Sequence, residues 1–374
     1  MKAEERVAAI IAMLRRQVDP LARRDGDEWL AAGAMADVLG AAVDRTTIFR
    51  DLQALVDKGV VVAEGGTRSR RYRLAPDSRE FLIWELGQPK DNRARVQYDP
   101  GVMERYVPNV TSWLGKTQLK HLRGLAKPKF RAGAAAYRRV MISLLIDLSY
   151  ASSRLEDVNI SWLDTKSLIE LGERPEGLSD KEYRIVMNHK DAIQFICENR
   201  NVLDLNTRNI RDVHKQLTKG LLGNPADEGR IRKGLVFFTE SAYAPLANEF
   251  QLSKQLEAFS AKASAITDPL ERALFTMVLV SYLQPFQDGN KRTSRLCMNI
   301  PLLANSLAPF SFAQVNRRDY VFGLLAFYER GRHDFLADVF FDTYVRSAPK
   351  YVELLQVARD GGTISSLDVR PRGR

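Results

Sequence analysis

The sequence predicts a mainly α-helical protein of two parts, a small N-terminal unit ending in a β-hairpin and a larger helical one. Three observations carry that prediction. The chain has 374 residues, more than one compact core usually serves. Its N-terminal segment alternates short helical stripes and then switches to a Gly-Gly hairpin signal around residues 60–74. From residue 131 onward apolar positions recur mostly at helical spacing.

Bulk composition is that of an ordinary globular protein, 45% hydrophobic and 27% charged. The longest apolar stretch, Val140 to Tyr150, is broken by Asp147 and is too short to span a bilayer. Met1-Lys2-Ala3-Glu4-Glu5-Arg6 lacks the apolar core of a signal peptide, so no membrane partner and a cytoplasmic location are expected. Cys197 and Cys297 stand alone, which suggests neither a disulfide framework nor a zinc cluster. A net charge of +10 favours polyanionic partners, nucleic acid or nucleotide phosphates.

Residues 1–76 have the rhythm of a winged helix-turn-helix. Val7, Ile10, Ile11 and Leu14 give a first helix its core face, and Met35, Val38 and Leu39 build a second that ends at Gly40. Asp44 offers an N-cap for a third helix with Ile48, Leu52, Leu55 and Val56 as its apolar stripe, closed by Lys58-Gly59. Val60-Val61-Val62, a Gly65-Gly66 turn and Arg71-Tyr72-Arg73-Leu74 complete a hairpin. Residues 77–130 read as a turn-rich connector and helical entry segment, 131–358 as the large helical domain, and 359–374 as a disordered tail. Within the large domain, helices are expected over Ala132–Tyr150, Asp180–Asn199, Asn209–Leu221, Pro269–Leu283 and Lys291–Ser306. Leu235 to Tyr243 is its clearest strand or hairpin candidate.

The chemistry concentrates in Gln284-Pro285-Phe286-Gln287-Asp288-Gly289-Asn290-Lys291-Arg292-Thr293-Ser294-Arg295. A helix beginning near Asn290 presents free N–H groups from Gly289, Asn290 and Lys291, an anion site by donors and dipole together. Arg292 and Arg295, three apart, share a face and reach toward a bound polyphosphate. Asp288 is placed to hold a magnesium ion bridging those phosphates. These are parts of phosphoryl-transfer chemistry; a solvated Gly-Asn helix entry is the blander alternative.

This stretch resembles the Fic (Fido) motif H-P-F-x-[DE]-G-N-[GK]-R-x-x-R, matching every fixed position except the first, where Gln284 replaces histidine. The resemblance implies an all-helical Fic domain with a β-hairpin flap, Mg²⁺ with ATP or a related nucleotide as ligand, and transfer of AMP onto protein hydroxyls. It extends to the entry segment Arg93–Leu114, and to Phe237–Pro245 at the flap, where Phe238, Thr239 and Tyr243 would meet a protein target by strand addition. Ser152-Ser153-Arg154-Leu155-Glu156-Asp157 is similar to the family's inhibitory motif [ST]-x-x-x-E-[GN], with Ser152 and Glu156 at the fixed positions and Arg295 as the partner of Glu156. Asp157 departs from that pattern.

Glutamine cannot take the proton that the motif histidine takes from the target hydroxyl. Loss of a general base costs about 10²- to 10⁴-fold in rate, roughly 3–5 kcal/mol. His121, His189, His214 and His333 are the remaining histidines, and the resemblance implies a structural place for His214. In the N-terminal domain the segment from Asp44 to Leu52 resembles the recognition helix of winged-helix repressors, with Arg45, Thr46, Thr47 and Arg50 toward the major groove. Arg68, Arg70, Arg71 and Arg73 on the wing would contact the DNA backbone or minor groove.

Three functions compete. In one, a DNA-binding regulator, expected as a dimer on a two-fold site, binds a nucleotide without efficient transfer. In another, an active nucleotidyltransferase (protein AMPylation) is autoinhibited by Glu156. In the third, both sites are vestigial in an interaction scaffold.

Overall fold

The computed structural model describes residues 2–18, 29–39, 43–66, 69–75, 77–128 and 134–360. The chain divides into two compact units, Met1–Ala94 and Arg95–Arg374. Gly40, Arg68 and residues 361–374, where a helix end, a DNA contact and a disordered tail were expected, lie outside the described residues. Among the described residues, no helix is long and apolar enough to cross a membrane.

The first unit runs α1 (Ala3–Val18), β1 (Leu30–Ala31), α2 (Ala32–Leu39), α3 (Arg45–Asp57), β2 (Val61–Glu64), β3 (Arg71–Leu74) and α4 (Arg79–Leu86). Its core follows most of the predicted stripes: Ile10 and Leu14 from α1, Met35 from α2, and Ile48, Leu52 and Leu55 from α3 are buried together, whereas Val38, expected in the stripe of α2, is 70% exposed. Asp44 takes the N-cap backbone of α3 but its side chain makes no capping bond, and Lys58 followed by a left-handed Gly59 ends the helix. The small antiparallel sheet fits the predicted hairpin, with Val61 opposite Leu74 and Glu64 opposite Arg71. β1 joins its far side on β3, a third strand too short to leave an alternating pattern.

The second unit runs β4 (Val96–Gln97), α5 (Gly101–Glu104), α6 (Lys116–Ala126), α7 (Ala134–Arg154), α8 (Trp162–Leu171), α9 (Asp180–Glu198), α10 (Thr207–Thr218), β5 (Tyr243–Ala244), α11 (Glu249–Ala265), α12 (Pro269–Leu283), α13 (Asn290–Cys297), α14 (Asn299–Ala304), α15 (Arg317–Arg330) and α16 (Asp334–Arg359). At its centre α12 is apolar on every face and buried from Ala273 to Leu283, as a helix surrounded by other helices must be. Neighbours α6, α11, α13, α15 and α16 close around it.

Four expectations need correction. The span 77–130 is more than a connector: α4 lies within the first unit, whereas β4, α5 and α6 belong to the second. The carboxylate of Glu271 on α12 ties the entry segment down by accepting bonds from the Tyr106 hydroxyl (3.0 Å) and from the N–H groups of Trp113 (2.7 Å) and Leu114 (3.0 Å). The single helix expected over Lys291–Ser306 is two, α13 and α14, because Pro301 has no N–H to continue the ladder from Cys297. Leu235–Thr239 forms no hairpin; beside it, Tyr243–Ala244 pairs in parallel with Val96–Gln97. Finally, α16 continues to Arg359, so the chain is still helical where the tail was expected to start.

Candidate functional site

Asp268 caps α12, its Oδ1 accepting from the N–H groups of Leu270 (2.8 Å) and Glu271 (3.0 Å), with Pro269 at the first helical position. The other end of α12 stops at Gln284, which turns left-handed at φ 48°, ψ 55°. The Gln284 amide Nε2 donates to the Ser281 carbonyl at 2.6 Å. Past it the loop is held by Asn290, whose Oδ1 accepts from Phe286 N and whose Nδ2 donates to Phe286 O, both at 2.8 Å. Gly289 follows at φ 75°, and a Cβ there would lie 2.8 Å from Thr218 Cγ2, so close packing and backbone sign both require glycine.

His214 on α10 lies flat against Phe286, ring centroids 3.8 Å apart. Its Nδ1 accepts from Gly229 N–H at 2.9 Å, which leaves the proton on Nε2 to donate to Asp288 O at 2.9 Å. Burial pushes this imidazole down to about 4, so it is neutral near pH 7. The structural place implied for His214 is the one it occupies. His189 is likewise enclosed, with Nε2 2.9 Å from Ser152 Oγ and Nδ1 2.7 Å from the Ile185 carbonyl. Burial, then Arg292 and Arg295, push it down to about 3. Neither ring is free to serve as a base, and His333 stacks on Trp113 while His121 packs on Phe341.

α13 starts at Asn290, so its first-turn N–H groups have no carbonyl within their own helix. The N–H of Gly289, expected to be free, instead donates to Asp288 Oδ1 at 2.6 Å. Arg292 and Arg295 are both buried, yet differently employed. Arg295 donates from Nε to Ser152 Oγ at 3.1 Å and from Nη2 to Glu156 Oε1 at 2.6 Å. Arg292 pairs with Asp288 at 3.1 Å and lies 3.4 Å from Glu156 Oε2, while its buried Nη1 finds no hydrogen-bond partner. Burial pushes Glu156 up, but Arg295 and Arg292 outweigh it and hold the carboxyl down at about 2. Glu156 is therefore a fixed anion between two cations. Asp157, where the resemblance implies Gly or Asn, takes the left-handed backbone at φ 61° nonetheless and pairs with Arg317 at 2.7 Å.

A cleft opens over this loop, lined by Glu156, Gln284, Gln287, Asp288, Lys291 and Arg292, with Val236, Phe237, Phe238 and Thr239 along its edge. Phe238 turns inward against Tyr328 (5.2 Å) and Tyr243 (6.0 Å), whereas Phe237 is 83% exposed. Tyr243, expected to meet a target, is buried and donates to the Tyr282 carbonyl at 3.0 Å, which anchors the segment's root. Sequence reasoning missed Arg232. Its buried guanidinium donates to the carbonyls of Gln284 (2.7 Å), Gly234 and Leu246, joining both ends of the 233–246 segment to the motif loop. Glu329 holds the same segment through Ser241 Oγ (2.7 Å) and Ala242 N (3.0 Å). Arg232 stands among Arg230 and Lys233 in a stretch without periodicity, and Glu329 sits near the end of α15, so nothing in the sequence marked either as a clamp.

A helix ending in a left-handed residue, a Gly-Asn loop, two buried arginines and a facing glutamate stand together where the Fic resemblance implies them. Residues 204–302 match the Fic/DOC family. The chain is 24% identical over 306 residues to protein adenylyltransferase fic-1 of Caenorhabditis briggsae, covering 71% of this chain and 59% of that protein. It is 27% identical over 195 residues to protein adenylyltransferase Fic of Nematostella vectensis, covering 50% of this chain and 44% of that one. It thus spans about three-fifths or less of these relatives. Among solved structures, a fragment of Fic-1 from Caenorhabditis elegans shares the fold with TM-score 0.51 at 19% identity, over 64% of this chain and 71% of that one.

Proposed function

We propose that this protein is a DNA-binding regulator whose Fic-type cleft binds a magnesium nucleotide, with AMP transfer lost or strongly weakened. One observation supports the reading: the amide of Gln284, which the motif resemblance aligns with the base position, is bonded to Ser281, and both nearby imidazoles are committed elsewhere. A carboxamide accepts no proton near neutral pH, so the target hydroxyl would keep its proton.

The frame for a ligand is retained. Lys291 and the first turn of α13 face the cleft, and Arg292 has a buried donor in need of an acceptor. Asp288 fits a magnesium ion shared with phosphates, since its side chain is 67% exposed in the cleft and one carboxylate with waters and phosphates suits that metal. Bound there, the ion would neutralise charge on the phosphates. Gly289, Asn290 and Arg292 position the loop and Arg295 stands behind it, held by Ser152 and Glu156. For DNA, Arg45, Thr46 and Arg50 are exposed on α3, and on the hairpin Arg71 is exposed and Arg70 half-buried. A cytoplasmic dimer on a two-fold operator completes this reading.

A second reading, favoured by the 2.6 Å contact between Glu156 and Arg295, is an active adenylyltransferase held off by that glutamate, with a protein target at the Phe237–Thr239 edge. Both are tested by incubating the full chain, and a Glu156→Gly form, with α-labelled ATP, magnesium and lysate. No transfer above an Arg292→Ala control, alongside calorimetric binding of magnesium ATP, is the expected result. Robust transfer by the Glu156→Gly form would overturn the regulator reading.

A further inference from the structure

α3 carries a solvent-facing aromatic that folding does not account for. Ile48, Leu52 and Leu55 turn into the core of the first unit. The opposite stripe holds Arg45, Thr46, Phe49, Arg50 and Gln53, all within one face at 3.6 residues per turn. Phe49 is 40% exposed in this stripe and makes no ring contact among the described residues. A phenyl ring 40% exposed among cations and a hydroxyl offers an apolar face to a ligand that reaches this side of the helix.

The surroundings select the partner's chemistry. Asp51, one residue after Arg50, is neutralised within the fold by buried Arg6, which donates from Nη2 at 3.2 Å. Asp57 accepts from Gln53 Nε2 at 2.8 Å. Asp44 is exposed ahead of the helix. The Arg45 guanidinium lies over α2, its Nη2 2.6 Å from where a Gly33 Cβ would stand, so the glycine leaves room for it. A cationic face with a single apolar ring at its middle complements a polyanion that displays isolated apolar groups. The major groove of duplex DNA does so through the thymine C5 methyl.

We propose that Phe49 determines sequence specificity by packing on the C5 methyl of a thymine, with Arg45 and Arg50 on neighbouring phosphates or base edges. The proposal rests on the DNA-binding reading above and deepens it. It assigns a readout to a residue that the arginines and threonines of the helix do not supply.

The test uses the full chain. Duplexes are enriched from a random-sequence pool by the unaltered protein, and the best duplex is remade with deoxyuridine at each thymine in turn. Burial of one methyl group is worth roughly 0.8 kcal/mol, about fourfold in affinity. The unaltered protein should lose about fourfold at one thymine and little at the others. Phe49→Ala should bind the thymine duplex about that much more weakly and be indifferent to uracil there, and Phe49→Leu should keep part of the discrimination. Circular dichroism of both variants confirms their fold. Phe49→Ala with an unchanged thymine-to-uracil ratio overturns the assignment while DNA binding stands. If the unaltered protein enriches no duplex, the DNA reading falls, the assignment falls with it, and the exposed ring points to a protein partner.

Discussion

Gln284 and Asp157 both hold left-handed backbone without being glycine, at φ 48° and 61°. An L-residue there costs about 1–2 kcal/mol, and the side chain must earn its place otherwise. At Asp157 the return is an exposed pair with Arg317, worth at most about 1 kcal/mol. Asp157→Gly should therefore raise the second unit's stability by about 0.5–1 kcal/mol, measured as a higher midpoint of urea unfolding; a lower midpoint would show that the ion pair outweighs the backbone. At Gln284 the residue type decides chemistry. Gln284→His combined with Glu156→Gly should raise label transfer by at least about 10²-fold over Glu156→Gly alone. Glu156 sets the pH behaviour of the pair with Arg295. Because its folded carboxyl is held down at about 2, below its unfolded value, the contact's stabilisation is complete above the unfolded value and is lost only as pH falls through about 2. Nucleotide affinity measured by calorimetry should consequently show no Glu156 titration between pH 5 and pH 8. The motif spacing made these residues legible. What the sequence hid was their state, since spacing says nothing of Arg295 being 1% exposed and already engaged.

The strand expected over Leu235–Tyr243 failed at the scale of elements. Its alternation is real, with Phe237 out and Phe238 in, but alternation marks facing, and a hairpin also needs a partner edge. Arg232 supplies the order that a ladder would have supplied. Arg232→Met should leave carbonyls of Gln284, Gly234 and Leu246 unpaired, cost about 2–4 kcal/mol, and make 233–246 the first site of limited proteolysis. Cleavage at the same rate as in the unaltered chain would show that Glu329 alone holds the segment. α9 and α10 were legible because each joins a clear apolar face to a capping residue, Ser179 and Asn206, and α12 because a mostly apolar run follows Asp268-Pro269. α8 and α11 escaped notice although Ser161 and Asn248 cap them.

Across the whole molecule, the two units each own a core, and every residue lining the cleft belongs to the second. A chain cut to residues 95–374 should bind magnesium ATP within about twofold of the full chain by calorimetry, a difference below roughly 0.4 kcal/mol. Loss of affinity on truncation would assign the first unit a part in the site. The overall plan was readable because length, a change of periodicity and one dense motif agree. The division at Ala94 was not, since α4 sits among turn residues that resemble a linker.

The left-handed end of α12 fixes the direction in which the side chain at 284 leaves the backbone, whatever that side chain is. Glutamine and histidine codons differ only in their third base, so a single-nucleotide change delivers an imidazole along that direction. Arg232, Asn290 and His214 already hold the surrounding loop. On the proposed reading, one mutational step therefore separates a weak from a reactive form of this domain, and a genetic screen for gain of transfer should return changes at position 284.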